Sequence, residues 1–504
     1  MFRIFGPPGT GKTTTLLNMV DDALSKGVMP NQIAFLAFTR KAANEARERA
    51  AARFNLDPKK DLVFFRTLHS LALTMSDIRP EQVMQPEHFK ELGNHISYSF
   101  HAKQNNFDDD IPSLVNTSDP VLGLINLCRL KKTDLRDEYN RSNLEEEWNI
   151  VKYVDTSLRE YKKRMRLYDF TDMLQIFVDQ SDQFCPNFEL TFLDEAQDLS
   201  PLQWDIAHAL DRKSTRMYCA GDDDQAIYRW AGADVDHFIN LPGGSETLSK
   251  SYRVPRQVHG LAEKIVRRIT RRFPKEYKPR EEPGNVARID TISSLDMSQG
   301  SWLILSQAQY QLNPVYQDLK SSGYLFTIRG HRSISEKISD AVNGWEQLRR
   351  GAEVSGKVAR KIYSFMSTQD RVKRGFKKLT GLADDEFVNL DTLIVNFGLL
   401  ATKEMIWSEA MDKMPDTDRA YITAMLRRGE KFNGVPRITA STIHGSKGGE
   451  ADNVVLFTDL SPAADEQMRI SPDDMHRVFY VGVTRTKQNL YIVDAEDTSR
   501  SYDL

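Results

Sequence analysis

Cysteine is scarce in this sequence, with 3 in 504 residues. Cys128, Cys185 and Cys219 share no paired spacing, which leaves no basis for a disulfide framework, a zinc site or an iron–sulfur cluster and points to a reducing cytoplasm. Long apolar runs are also missing; none approaches the ~20 residues of a membrane span. The first residues lack the layout of a signal peptide, because a glycine-rich loop begins at Gly6. An excess of charge is absent, with 68 Lys and Arg against 71 Asp and Glu for a net charge of −3. That excludes a binder coated in positive charge, though not an enzyme with a local basic groove. There is no short repeat and no low-complexity linker. What remains is 40 % hydrophobic and 28 % charged residues, an ordinary globular composition. A chain of this length exceeds one compact core, so about two to four domains are expected.

The stretch Gly6-Pro7-Pro8-Gly9-Thr10-Gly11-Lys12-Thr13 reads G-x-x-x-x-G-K-T. It follows the short apolar run Phe2-Arg3-Ile4-Phe5 and precedes a helical pattern from Thr14 to Val20. Strand, glycine loop and helix is the setting that a phosphate-binding loop requires. The glycines let successive N–H groups turn inward toward phosphate oxygens, and the helix N-terminus adds partial positive charge. Lys12 is placed to reach the β- and γ-phosphates and Thr13 to bind Mg²⁺. Pumps, motors, switches and kinases share such a loop, so it leaves the use of the nucleotide open.

Strand-like and helical runs then alternate. Residues 32–38 form a continuous apolar run, Thr39-Arg40-Lys41 opens a helix, and Leu62-Val63-Phe64-Phe65 reads as a third strand. This pattern predicts a parallel sheet with ligands at the C-terminal strand ends. Residues 75–165 are polar and helical in pattern, with an acidic cluster at Asp108-Asp109-Asp110, and read as a helical insertion. The sheet resumes with Leu190 to Leu193 and Arg216 to Ala220. A second α/β unit starts after Tyr252-Arg253, with strands expected at 301–305, 324–328, 437–440, 454–457 and 489–493. Residues 345–431 read as a second helical insertion.

Asp194-Glu195 ends an apolar strand. An acidic pair there is commonly a solvated turn. Beside a phosphate loop it suits Mg²⁺ chemistry, with Asp194 toward the metal and Glu195 orienting and deprotonating the attacking water. Gln225 follows the next strand, where an amide can sense a γ-phosphate; as a bare polar loop residue it would be equally at home. Asp222, Asp223 and Asp224 read as structural. Tyr228-Arg229-Trp230 offers aromatic faces for unpaired bases, although a lone tryptophan more commonly packs in a core. His69 and His444 alone would be ordinary polar contacts. Arg253 and Arg485 lie in the second unit, which has no phosphate loop of its own, and either could cross to a nucleotide on the first as an arginine finger. Basic runs at 162–166, 267–272 and 371–378 could track a phosphate backbone or be solvated helix faces.

In order, the chain shows GPPGTGKT, AFTRKAA, TLHS, YDFTDML, LDEAQD, AGDDDQAIYRWAGAD, SYRVP, TASTIHGSKGGE and YVGVTRT. This series, spanning Gly6 to Thr486, resembles the motifs of the UvrD/Rep/PcrA DNA helicases, subgroup A of superfamily 1. The resemblance implies an α/β fold of two RecA-like parallel-sheet lobes, each with a mainly helical insertion. Lobe 1A would be 1–74 and 166–250, insertion 1B 75–165, lobe 2A 251–344 and 432–504, and a short insertion 2B 345–431. It implies ATP and Mg²⁺ as cofactors and 3′→5′ movement along single-stranded DNA in a bacterial or phage-infected cell. Lys12, Thr13, Asp194, Glu195, Gln225, Arg253 and Arg485 fall on the hydrolysis positions. With them, Gly6, Pro7, Pro8, Gly9, Thr10, Gly11 and Thr14 complete the ATP site. Tyr252 falls on the aromatic that stacks on the base, and Glu450 on the acid that contacts the ribose. Thr39, Arg40, Thr67, His69, Tyr228, Trp230, Thr442 and His444 fall in segments that touch single-stranded DNA.

Four departures stand out. Arg40 replaces the family's asparagine, Ala231 stands where relatives often carry an arginine, and the second insertion is much shorter than in the bacterial repair enzymes, a compact build that resembles phage enzymes. Relatives also carry a glutamine well upstream of the phosphate loop that reads the adenine edge. With five residues before Gly6 here, the expectation is tolerance of other nucleotides. Two rival readings are a AAA-type protein-remodelling ATPase, since GPPGTGKT suits that class, and an ATP-switched DNA-binding module. Single/double-strand junctions, a single-strand binding protein and replication or repair proteins are the partners expected of a helicase.

Overall fold

The computed structural model describes residues 1–100 and 119–504, the side chain of Lys41 excepted; the acidic cluster Asp108-Asp109-Asp110 lies outside the described residues. The first sheet contains β1 (Phe2–Phe5), β2 (Ile33–Ala37), β3 (Phe65–Thr67), β4 (Phe188–Leu193), β5 (Ser214–Gly221) and β6 (Ser245–Thr247), in the order β3-β2-β4-β5-β1-β6. All its pairings are parallel. β2, with sequence IAFLA, is buried at every residue, as a central parallel strand covered on both faces must be. The third strand is shorter and later than the apolar run 62–65 suggests. The Asp57 carboxylate accepts from the amides of Lys59 and Lys60 at 2.8 and 3.0 Å, and the local turns carry the chain to Phe65 before it reaches β2.

After the short parallel pair β7 (Lys250–Pro255) and β8 (Lys278–Arg280) comes a second sheet. Its strands are β9 (Asn285–Ile289), β10 (Trp302–Ser306), β11 (Phe326–Ile328) and β12 (His331–Arg332). A separate two-stranded antiparallel pair, β13 (Val354–Ser355) with β14 (Phe387–Val388), intervenes before β15 (Ile438–Thr442), β16 (Ala451–Phe457) and β17 (Thr486–Val493) complete the sheet. Its order is β12-β11-β15-β10-β16-β17-β9, parallel throughout except for the β11–β12 edge. The edge strand β9 escapes the apolar-run reading because NVARI is half-exposed and carries polar residues.

Apolar side chains cover both faces of each sheet. One core is shared by the two lobes, running from Phe5, Leu36 and Leu193 to Leu303, Leu456 and Leu490. Residues 75–165 do form helices where described, at Pro86–Ile96, Pro120–Lys131, Leu135–Arg141 and Trp148–Met165, with small cores of their own around Leu122, Leu158, Val121 and Val154. The second insertion is less helical than its pattern suggests, and residues 365–386 hold no helix. Its interior, with Ile362, Val372 and Leu393, continues the core beneath β10 and β16. No described helix is long and apolar enough to cross a membrane.

Candidate active site between two lobes

Gly6 to Lys12 leave the C-terminal end of β1, and the helix Lys12–Ser25 begins at the loop's end. Gly9 (φ +72°) and Gly11 (φ +78°) are left-handed, which glycine adopts without strain. A Cβ on Gly9 would also lie 2.3 Å from the Cβ of Arg253. Pro7 and Pro8 are buried, and the Thr10 hydroxyl donates to the Pro7 carbonyl at 2.8 Å, closing the turn. The Thr14 hydroxyl accepts from Arg49. Lys12 folds back over the loop, its Nζ donating to the Gly6 carbonyl at 2.9 Å and lying 3.8 Å from Glu195 Oε1. The loop is therefore formed, with its lysine occupying the cradle where phosphate oxygens would compete for it.

β5 lies between β1 and β4, so the loop and the acidic pair sit two strands apart on one sheet edge. Thr13 Oγ1 spans that gap, donating to Asp194 Oδ2 at 3.0 Å. A hydroxyl and a carboxylate this close form a hard-oxygen pair suited to Mg²⁺, which takes few protein ligands when phosphates and water fill its shell. Glu195 has φ +57°, an uncommon conformation for a side-chain-bearing residue. Gln197 Nε2 donates to Glu195 Oε2 at 2.5 Å. Burial opposes charge on Glu195, but Lys12, Lys447, the Gln197 amide and Arg485 outweigh it and hold the carboxyl well below its usual range. Burial and the neighbouring Glu195 push Asp194 upward.

The second lobe closes over this edge. The β7 backbone is knitted to the loop: Ser251 Oγ donates to the Pro8 carbonyl at 2.7 Å and Tyr252 N to the Gly9 carbonyl at 2.8 Å. Tyr252 itself is 68 % exposed, which leaves a ring face open beside the loop. Arg253 pairs with Glu450 at 2.6 Å, and Glu450 also pairs with Lys487 at 2.6 Å. Arg485 is buried, and its Nη2 donates to Gln225 Oε1 at 2.6 Å. Burial, then the nearby Arg253, lowers its pKa to about 9, still charged near neutrality. Lys12, Asp194, Glu195, Gln225, Arg253, Glu450 and Arg485, scattered over the sequence, thus meet at one seam.

The DNA candidates form a second group beside it. Thr39 and Thr67 cap helices, accepting from Ala42 N and Ser70 N, and Thr442 Oγ1 accepts from Gly445 N at 3.1 Å. Arg40 is exposed in the first turn of its helix. Trp230 is 50 % exposed, with the His444 ring edge-on at 6.2 Å. Tyr228 differs from the expectation of an open stacking face: it is 5 % exposed, stacked on Phe38 at 5.6 Å, with the Lys447 ammonium 4.9 Å from its ring centroid. Its place is under Trp230 rather than against a base. Burial, reinforced by Arg40 for His69, lowers the pKa values of His69 and His444 to about 4, so both rings are neutral near pH 7.

Most of the basic-run residues are exposed, among them Lys163, Arg164, Arg267, Lys373 and Lys378, but Lys162 and Arg272 are not. Lys162 is buried between Asp169 and Asp172, at 2.5 and 2.6 Å. Arg272 pairs with the buried Asp224 of the first lobe, whereas Arg271, paired with Asp236, stays exposed. Residues 371–378 lie in turns. Lys447 is the site residue that single-motif reasoning overlooks. It reaches from the second lobe to Asp198, lies 3.8 Å from Glu195 and donates to the Gln225 carbonyl at 2.9 Å. Its signal is its position in the glycine-flanked GSKGGE segment. Gln197 and Asp198, in LDEAQD, are equally central.

A phosphate loop, a strand-end acidic pair and a second lobe contributing arginines define a two-lobed protein of the P-loop class. Residues 2–243 match the UvrD/REP helicase N-terminal domain and residues 437–493 the UvrD-like helicase C-terminal domain, together more than half of the chain. The chain belongs to the UvrD/REP helicase family. It is 27 % identical to an ATP-dependent DNA helicase PcrA of Leuconostoc citreum over 54 % of this chain, and 26 % identical to a putative ATP-dependent DNA helicase YjcD of Bacillus subtilis over 53 %. Those matches span only 38 % and 36 % of the relatives' own length. A probable DNA helicase II homolog of Rickettsia conorii is 24 % identical over 98 % of this chain and 90 % of its own length.

Proposed function

We propose that this protein is an ATP-dependent DNA helicase or translocase that moves 3′→5′ on single-stranded DNA and unwinds duplex, in the cytoplasm of a bacterial or phage-infected cell. The observation that carries the reading is the seam at which Gly9, Glu195 and Gln225 of the first lobe meet Arg253, Lys447 and Arg485 of the second. Lobe 1A comprises 1–74 and 166–250, insertion 1B 75–165, lobe 2A 251–344 and 432–504, and insertion 2B 345–431. ATP occupies the loop Gly6–Thr14, with its base on Tyr252 and its ribose at Glu450. Mg²⁺, held by Thr13 and Asp194, supplies charge neutralisation on the phosphates.

Lys12 exchanges the Gly6 carbonyl for phosphate oxygens. Glu195, kept ionised by its cations, orients and deprotonates the attacking water. Arg253 exchanges Glu450 for developing charge on the γ-phosphate, and Arg485 reaches the same charge with its remaining donors while keeping its bond to Gln225, which favours closure of the lobes. Gln225 and Trp230 lie five residues apart in sequence, a short link from phosphate to base. Thr39, Arg40, Thr67, Trp230, Thr442 and His444 border the strand, with Tyr228 supporting Trp230. Single/double-strand junctions and replication or repair proteins are the expected partners.

The test is turnover with and without single-stranded DNA, followed by unwinding of duplexes with 3′ or 5′ tails. Stimulation by DNA and unwinding from the 3′ tail are expected. ATP turnover indifferent to DNA would overturn the reading, and a 5′ preference would overturn the polarity.

A further inference from the structure

The three aspartates before Gln225 are among the most deeply buried charges in the molecule, with Asp222, Asp223 and Asp224 at 0, 0 and 1 % exposure. Like charges packed this closely repel, and burial raises the cost. One ammonium answers all three. Lys275 Nζ, its side chain 1 % exposed, lies 3.1 Å from Asp222 Oδ1, 2.6 Å from Asp223 Oδ1 and 2.6 Å from Asp224 Oδ2. Its three donors are thus all engaged. Arg272 adds a two-pronged bond to Asp224, 2.8 Å at each oxygen.

Lys275 belongs to the segment that follows the helix Arg256–Val266, which packs on the second-lobe helix Pro472–Val483. Phe273 anchors the segment by stacking on Phe5 of β1, centroids 4.0 Å apart. Asp222 in turn holds Gln225: Gln225 Nε2 donates to Asp222 Oδ2 at 2.7 Å while Gln225 Oε1 accepts from Arg485. A carboxylate only accepts and a guanidinium only donates, so this pair of partners permits one orientation of the amide. The charge on Asp222 is what enforces it.

We infer that Lys275 is a positioning residue for ATP hydrolysis, acting through Asp222 to fix the Gln225 amide toward Arg485 and the γ-phosphate. The inference rests on the proposed function and adds to it a residue outside the nucleotide site, carried on the segment between the lobes. Burial works against charge on Lys275, but the three carboxylates outweigh it and hold the ammonium above its ordinary range. Burial pushes Asp223 up to about 6 even with Lys275 beside it, so the loop depends on this cation.

The experiment is a double-mutant cycle between Lys275→Met and Gln225→Ala, read as kcat, KM for ATP and single-strand affinity, with thermal melts alongside. Lys275→Met should lower DNA-stimulated kcat by ~10-fold or more while KM and DNA affinity stay within about 2-fold, a pattern that reports loss in the transition state alone. In the Gln225→Ala background it should lower kcat no further, since the amide it positions is gone. Lys275→Met with Asp223→Asn restores the count of buried charges and carries the same measurement if the single variant melts early. Multiplicative losses across the cycle would overturn the inference, as would unchanged kcat, and failure of both Lys275 variants to fold would assign the residue to stability alone. The cycle is read on basal turnover too, so wild-type protein unstimulated by DNA would sink the proposed function while leaving this test intact.

Discussion

Asp198→Asn probes the electrostatics of the seam directly. The Asp198 carboxylate is 2 % exposed; its Oδ2 accepts from Lys447 and Gln197, and its Oδ1 has no partner among the described residues. Burial, with Glu195 adding to it, pushes its pKa up to about 7, although Lys447 and Lys12 pull the other way. In the unfolded chain an aspartate titrates near ~3.9. A raised folded pKa means that the native state binds the proton more tightly. The resulting stabilisation is complete below the unfolded value and lost as pH rises through the folded one. Between about pH 8 and about pH 5 some two pH units fall below the folded pKa, worth about 2–3 kcal/mol at ~1.4 kcal/mol per unit. Asparagine takes up no proton and lacks this slope. The stability difference, variant minus wild type, should therefore be about 2–3 kcal/mol more favourable to the variant near pH 8 than near pH 5. Urea denaturation followed by tryptophan fluorescence at several pH values measures it. Parallel profiles for the two proteins across that window would refute the reasoning, because every other titrating group is common to both.

Three further outcomes are expected. Glu195→Gln should retain ATP binding but lose turnover by ~10²-fold or more, while Lys12→Ala weakens both; a Glu195→Gln protein of near-normal turnover would remove Glu195 from the chemistry. Arg253→Ala and Arg485→Ala should combine non-additively in DNA-stimulated turnover, and strict additivity with two nearly active single variants would exclude a shared γ-phosphate site. Trp230→Ala should reduce single-strand affinity by about 1–3 kcal/mol with little dependence on base sequence, at an unchanged melting temperature. A drop in melting temperature with both activities falling together would show instead that the half-exposed ring is a packing residue.

How much of this was readable without coordinates depends on the range of the interaction involved. The phosphate loop is local: glycines at positive φ, a lysine and a threonine must follow one another within a single strand–turn–helix, so the order of residues determines the geometry. β2 and residues 454–457 of β16 are equally legible, since a stretch buried on both faces must be apolar. The edge strand β9 and the turns of residues 365–386 leave no such trace, because neither is bound to a period by burial. At the site, Arg253 and Arg485 could be named from their motifs, but that Arg253 rests on Gly9 while Arg485 bonds Gln225 is decided by how two sheets pack. Tyr228 and Trp230, two positions apart, read alike as aromatics, yet packing against Phe38 buries one and leaves the other open. Arg272 likewise reads as solvated charge until the first lobe brings the buried Asp224 against it. Composition and spacing determine which groups exist and which local turns can form. Which charge neutralises which is a property of contacts between segments tens to hundreds of residues apart, and only the tertiary structure brings those together.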